Sequence, residues 1–382
     1  MKIALVHDDF TQAGGAESLF ATIAALFPKA PIYTSLVDCN KVPKTIKRDR
    51  IRTSFIQKIP FSKKLYKVLL PLYPFAFETF DFSGFDVVLS STTRFAKAII
   101  TKPQTMHICY INSAPRFLWD ENVKKQYIPK TLKIIALPIL SWLKRWDKVA
   151  SSRVDLYVSN SNNVKGRVKK YYNRESEVIW PFADINFFDI PQVHNWSLKS
   201  KDYYLVVSRL VKWKKIGIAI VAAKLAGKKL LIVGTGPDQK RLEKVAREKD
   251  ADVEFVGKVT IEQLKDYYQN ANALIVTQEE DFGIASVEAQ ACGIPVIAYD
   301  SGGQQEIIIN GKTGLFFKNQ KAKELKDAII ASSEVKWSKS ACRNNSLKFA
   351  QANFEKNLTK FIEISYGKFN LASSKKKNIN VS

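Results

Sequence analysis

Residues 273–299 read ALIVTQEEDFGIASVEAQACGIPVIAY. The opening run, 273–277, is apolar and β-rich, and the closing run, 295–299, has the same character. Between them Gly283 marks a turn, after which the composition becomes helical. Strand, glycine turn, helix, strand is the parallel βαβ unit, whose sheet is covered by helices on both faces. The same alternation extends outward. KIALVH, VVLS, MHICYI and DLYVS come early and YYLVVSR, KLLIVG and VEFVG later, most of them separated by helix-like stretches. This pattern predicts an α/β architecture of doubly wound sheets, and the chain runs through it twice.

A length of 382 residues exceeds the roughly 100–200 of one domain, so two are expected. Periodicity lapses in DINFFDIPQVHNWSLKSK, 184–201, where Pro, Asn, Ser and charge mix, and the interdomain linker is placed there. The expected parts are a Rossmann-like domain over 1–190, a second over 201–350, a helix over 351–371 and a disordered lysine tail over 372–382.

The formal charge of +24 is the strongest compositional anomaly and points to a polyanionic neighbour: nucleic acid, an anionic membrane surface or phosphorylated substrates. Residues 41–67 hold ten Lys or Arg against the single acid Asp49. Within FSKKLYKVLLPLYPFAFETF, Phe61, Leu65, Val68, Leu69 and Leu72 recur at helical spacing, with Lys63, Lys64 and Lys67 elsewhere on the wheel. That predicts a basic amphipathic helix, which suits packing on the sheet and contact with a membrane equally well. Cys39, Cys109, Cys292 and Cys342 are scattered without zinc-ligand spacing and read as reduced thiols. The start MKIALVHDDF is too short and too acidic for a signal peptide. The longest helical apolar stretch, 134–142, contains Pro138 and falls short of the ~20 residues a membrane span needs, so none is expected.

Several residues have the chemistry to hold a diphosphate. The helix opening at Gly283 offers free N–H groups and a favourable dipole, with Glu288 one turn inside, placed to accept ribose hydroxyls, and Glu280 just before it. A turn of this kind is also common in any α/β fold. Ser208-Arg209-Leu210 and Lys212-Trp213-Lys214-Lys215 follow the strand YYLVV, and cations at the carboxyl end of a parallel strand lie where such sheets bind ligands. Gly234 and Gly257, with Lys258 and Val259 beyond, close neighbouring strands and leave room for a base, or simply make turns. In the first half, Gly14 and Gly15 sit in the loop DDFTQAGGAE, where they either approach a diphosphate or make a turn. Asp250-Ala251-Asp252 reads as a surface turn and His107 as a packed histidine of the strand MHICYI.

Together, HDDFTQAGGAE, TSFIQKIP, NSAPRFLWD, VVSRLVKWKK, VGTGP, EDFGIASVEAQACGIPVIAYDSGGQQE and NGKTGLFF resemble glycosyltransferase family 4, and more narrowly its O-antigen mannosyltransferase-like branch, over residues 1–366. The resemblance implies a GT-B fold: two Rossmann-like domains facing a cleft, with the C-terminal helix returning to the first. It implies a nucleoside diphosphate sugar as co-substrate, retention of configuration, and neither cofactor nor obligatory metal. Arg209 and Lys214 would then bind the diphosphate, Glu288 the ribose, backbone near Lys258 and Val259 the base, and Glu280 with the amides of Phe282, Gly283 and Ile284 the donor sugar. Asn112 occupies a position where the family often has histidine. Asparagine is no general base, so it is assigned to positioning a sugar hydroxyl. The expected function is transfer of a hexose, mannose from GDP-mannose in the first instance and a UDP-sugar as the alternative, to a lipid-linked glycan acceptor. The expected place is the cytoplasmic face of an anionic membrane, without nucleic acid as a partner. The competing classes are a non-catalytic polyanion binder on the same fold and a sugar-nucleotide epimerase. The binder lacks any helix-turn-helix, zinc-finger or RRM signature.

Overall fold

The computed structural model describes the chain except residues 13, 67, 122, 125–132, 190–201 and 380–382, and except the side chains of 133–135 and 373–379. It divides into two compact units, Met1–Trp180 with Phe354–Ser382, and Pro181–Asn353. Most of the linker placed at 184–201 lies outside the described residues, apart from the short helix Ile185–Asp189 at its start.

The first unit carries a seven-stranded sheet: β1 (Ile3–His7), β2 (Ile32–Thr34), β3 (Ile51–Thr53), β4 (Val87–Thr92), β5 (Met106–Ile111), β6 (Leu156–Ser159) and β7 (Ser176–Val178). Their order is β3-β2-β1-β4-β5-β6-β7, every pair parallel. The second unit has β8 (Tyr203–Val207), β9 (Lys229–Val233), β10 (Val253–Gly257), β11 (Leu274–Val276), β12 (Val296–Tyr299) and β13 (Gly314–Phe317), ordered β10-β9-β8-β11-β12-β13 and again wholly parallel. Both units are doubly wound Rossmann-like folds, as the alternating pattern predicts. In each, the winding reverses beside the first strand, between β1 and β4 and between β8 and β11. There the connections leave in opposite directions and the carboxyl ends open a crevice.

Register pairs Ala4 with Val88 and Ser90 with Cys109, so the core clusters of the first unit lie side by side on one face of its sheet. In the first unit Ala4, Val6 and Val88 pack with Tyr73, Phe77, Phe95 and Leu143, while Cys109 and Ile111 meet Val164 and Val168. In the second, Tyr204, Val206 and Ile232 pack with Ile220, Leu242 and Ile329.

Two expectations are corrected. The basic amphipathic segment is not one helix: it breaks into Ser62–Leu65, a 3-10 turn Leu70–Leu72 and a helix Tyr73–Glu78. Pro71 and Pro74 each open a new helical piece, since proline lacks the N–H that a continuing helix requires. Leu70, Tyr73 and Phe77 are buried, whereas Phe61, Leu65 and Val68 are exposed. The tail is helical for most of its length, because Gln351–Ile379 is a single helix that no proline interrupts; residues 380–382 lie outside the described residues.

At the switch of the first unit the strand ends are tied together by buried polar side chains. Asp8, buried at the end of β1, accepts hydrogen bonds from the Thr92 and Thr93 hydroxyls and from the backbone N–H groups of Thr93, Arg94, Phe95 and Ala96 at 2.6–3.0 Å. Burial opposes its ionisation, but Arg94, His7 and these donors outweigh it and hold its pKa below the ordinary value. Asp9 pairs with Arg94, and fully buried Lys97 pairs with Asp147, which also accepts from Trp119 and Tyr172, both at 2.8 Å.

A depressed native pKa gives stability that is present above the ordinary carboxyl range and is lost as pH falls through the native value. Asp8→Ala strands several donors and is expected to cost about 3 kcal/mol in urea unfolding. Asp8→Asn is expected to flatten the acid limb of stability against pH; an unchanged limb would show that Asp8 does not titrate this unit.

Candidate functional site

The site of the second unit is built at the switch between β8 and β11. The loop after β8, 208–215, and the loop after β11, 277–283, leave adjacent strand ends and are tied by side chains. The 3-10 turn Lys212–Lys214 closes on Lys215, whose left-handed φ of 53° reverses the chain and leads into the helix Gly217–Leu225. Lys214 Nζ forms an ion pair with Glu280 Oε1, the side chains being 13% and 20% exposed. Gln278 Nε2 donates to the same carboxylate oxygen. The Thr277 hydroxyl donates to the Lys214 carbonyl at 2.7 Å, and Gln320 Nε2 to the Thr277 carbonyl at 2.8 Å. The Lys214 ammonium also lies 4.4 Å from the centre of the Trp213 ring. A cation and a carboxylate thus stand at the mouth of the crevice with fixed orientations.

Glu280 continues into Gly283, the residue before the helix Ile284–Ala291. Gly283 adopts φ 119°, and a Cβ there would fall 2.2 Å from Gln304 Nε2, so only glycine fits. Gln304 is buried and accepts the Ser286 hydroxyl at 2.8 Å, while the Gly303 amide donates to the Glu280 carbonyl at 2.9 Å. The segment after β12 therefore clamps the turn from behind. Gly283 has no side chain to cap the helix; the Ser286 amide donates to the Gly283 carbonyl at 3.0 Å, and no side chain caps the N–H groups of Ile284 and Ala285.

Glu288 lies one turn further in and accepts the Tyr268 hydroxyl at 2.9 Å. Burial pushes its pKa up to about 7, and the Tyr268 hydrogen bond offsets only part of that rise. Arg209 and Lys258 are exposed at the ends of β8 and β10, and Val259 is half-buried. Gly234, with φ 128°, closes β9 where a Cβ would sit 2.0 Å from the Ser208 carbonyl oxygen. Hence Arg209, Lys214, Gly234, Glu280, Phe282, Gly283, Ile284 and Glu288 collect along the carboxyl ends of β9, β8 and β11. Lys258 and Val259 stand one strand beyond β9, at the edge of the sheet.

Gly14, Gly15 and Asn112 belong to the first unit. Gly14 is extended (φ −157°, ψ −170°), a conformation open to any residue, and precedes the helix Gly15–Leu26. Asn112 is buried at the end of β5, where its Nδ2 donates to Ser91 Oγ at 3.1 Å and its carbonyl accepts Asn160 Nδ2 at 2.8 Å. His107 is a packed strand residue: Nε2 lies 2.8 Å from Ser90 Oγ, and burial drives its pKa down to about 3. Tyr268 and Gln304 escaped the sequence reading. A neutral side chain gives no signal of its partner until the fold sets it against a carboxylate or a glycine.

Residues 189–349 match the family of Glycosyl transferases group 1. An uncharacterized glycosyltransferase of Methanocaldococcus jannaschii is 28% identical over 182 residues, covering 46% of this chain and 47% of that protein. A GDP-mannose-dependent alpha-(1-6)-phosphatidylinositol monomannoside mannosyltransferase of Mycobacterium tuberculosis is 31% identical over 149 residues, 35% of this chain and 39% of that one. The chain spans about half the length, or less, of the curated relatives it matches. Among solved structures, the sucrose-phosphate synthase of Thermosynechococcus elongatus superposes with a TM-score of 0.71 at 18% identity, over 96% of this chain and all of that one. HepE of Anabaena, solved with UDP, superposes with a TM-score of 0.68 at 17% identity, over 95% of this chain and all of that one. At these identities the likeness is one of fold, and the fold is that of the GT-B glycosyltransferases.

A carboxylate that titrates near neutrality makes a pH prediction. If Glu288 accepts ligand hydroxyls in its ionised form, affinity for a nucleotide sugar, whose phosphates do not titrate there, is expected to rise as pH increases through about 7. Calorimetry on Glu288→Gln is expected to show weaker binding without that step; a step that survives the substitution belongs to another group.

Proposed function

We propose that the chain is a glycosyltransferase that moves a hexose from a nucleoside diphosphate sugar to a lipid-linked glycan acceptor, with retention of configuration, in the synthesis of a cell-surface polysaccharide. The observation that carries this reading is the Lys214–Glu280 pair beside the open first turn of Ile284–Ala291, at the β8/β11 switch. The match to group 1 glycosyl transferases over the same unit supports it.

The chemistry follows from the layout. The bond from the sugar's C1 to the diphosphate oxygen breaks and a bond from C1 to the acceptor hydroxyl forms on the same face. The hydroxyl proton passes to the departing phosphate. Charge then develops on the diphosphate, and fixed donors aimed at that charge lower the barrier. Lys214, Arg209 and the amides of Gly283 and Ile284 serve that purpose, so the reaction draws its cations from the chain and has no obligatory metal. Glu280, held by Gln278 and Lys214, accepts hydroxyls of the donor sugar, and Glu288 those of the ribose. Asn112 positions a sugar hydroxyl through its amide, without accepting a proton.

Mannose from GDP-mannose is the donor we favour, on the resemblance to the O-antigen branch of family 4 and on the mannosyltransferase relative in Mycobacterium tuberculosis. A UDP-sugar is the alternative, suggested by the fold neighbour solved with UDP. No helix among the described residues is long and apolar enough to cross a membrane, and with a charge of +24 the chain is proposed to work peripherally, on the cytoplasmic face of an anionic membrane.

A thermal-shift panel of GDP, UDP and their sugar conjugates is expected to single out one base; no shift with any of them contradicts the reading. Lys214→Ala is expected to lower kcat/KM for the responding donor by about 100-fold or more. Glu280→Gln is expected to act mainly on kcat, and full activity in Asn112→Ala would remove that residue's role.

A further inference from the structure

The segment after β3 presents apolar side chains to solvent. Phe55 (39%), Phe61 (75%), Leu65 (42%) and Val68 (73%) are all exposed within fourteen positions, while Ile56 and Leu70 from the same stretch are buried in the core of the first unit. Lys58, Lys63 and Lys64 are exposed among them, and from Arg50 to Phe77 the sequence contains no acid. The turn Phe55–Lys58 packs against both Ser62–Leu65 and Tyr73–Glu78, so the pieces form one surface. That surface continues to Phe75, itself exposed and stacked on exposed Trp142 at 6.3 Å.

Phe61 supplies a second, independent sign. It adopts φ 57°, ψ 14°, a left-handed conformation that bulky residues avoid, and it does so as the residue preceding the helix Ser62–Leu65. Glycine would adopt that conformation without strain. A phenylalanine there, with its ring in water, gains nothing within the described fold that offsets the strain. Such outliers persist where a surface has work to do.

We propose that this surface, Phe55 to Val68, is a docking face for an anionic lipid bilayer, with Phe61 and Val68 entering the interface and Lys58, Lys63 and Lys64 meeting the headgroups. The charge pattern selects the partner. A second copy of the chain would set lysines against lysines. Nucleic acid would satisfy the lysines but leave the apolar side chains in water. A bilayer of anionic lipid offers both kinds of partner at once. This deepens the membrane part of the proposed function and is independent of its donor chemistry.

Co-sedimentation with vesicles of phosphatidylcholine, with and without phosphatidylglycerol, tests it on the full chain. Wild type is expected to bind only the phosphatidylglycerol vesicles, and less as salt rises. Lys63→Glu with Lys64→Glu is expected to weaken binding by at least tenfold, since each near-surface lysine contributes roughly fivefold. Phe61→Ser with Val68→Ser is expected to weaken it by about tenfold. Phe61→Gly relieves the backbone, so its thermal midpoint should not fall while vesicle binding does. The nucleotide-sugar thermal shift of each variant should match wild type, which separates failure here from failure of the donor site. Wild type that ignores phosphatidylglycerol overturns the proposal. So does binding that follows the lysines but not Phe61 and Val68, as for a purely electrostatic contact with nucleic acid.

Discussion

The ion pair between Lys214 and Glu280 is the interaction on which the candidate site depends. It joins two loops that leave neighbouring strands in opposite directions, at the one place in the second sheet where a crevice must open. Without it, a lysine after β8 and a glutamate after β11 would be two solvated charges on separate turns. With it, Thr277, Gln278 and Gln320 have a fixed frame to bond to, and the turn at Gly283 is held from one side by Glu280 and from the other by Gln304. Most of its charge is shielded from water, so a ligand diphosphate competes for a cation that is already oriented. Preorganised charge of this kind is what phosphate-leaving chemistry requires.

The two units use the same topology to different ends. In the second, the crevice is lined by glycine, exposed cations and an uncapped helix start, features suited to an incoming anion. In the first, the corresponding place is taken by Asp8, whose carboxylate ties the end of β1 to the residues after β4. Asp9, Arg94, Lys97 and Asp147 continue that network inward. Removing one member of such a network leaves its partner charged and buried, which costs far more than the pair contributes. The first unit's switch point is thus consolidated by its own polar groups, and the second's is left for a ligand.

Much of this was legible in the sequence. All nine apolar runs named from pattern are strands; eight are interior to their sheets, where burial on both faces gives continuous apolar stretches, and the ninth, β10, is an edge strand. The strands missed, β2, β3, β7 and β13, are three or four residues long and lie at or near the sheet edges, too short to show a period. Arg209, Lys214, Glu280 and Gly283 were found from their positions after strands. Their partners were not, since Tyr268 and Gln304 act through neutral groups brought in from other elements. The charged residues Asp8, Lys97 and Asp147 of the first unit carry no signal of burial in the sequence, and all three are buried. Periodicity also failed across Pro71 and Pro74, where apolar spacing suggested one helix and the ring geometry enforced three short pieces.

The central claim is that a nucleotide sugar is held at the β8/β11 switch by the loop that carries Lys214 and by the helix start at Gly283. Hydrogen–deuterium exchange of the full chain, with and without saturating nucleotide sugar, tests it most directly. The account predicts protection concentrated in the amides of 209–215 and 282–288, with little change around β7 and β13. Protection confined to other segments, or none in these two at saturation, would contradict it.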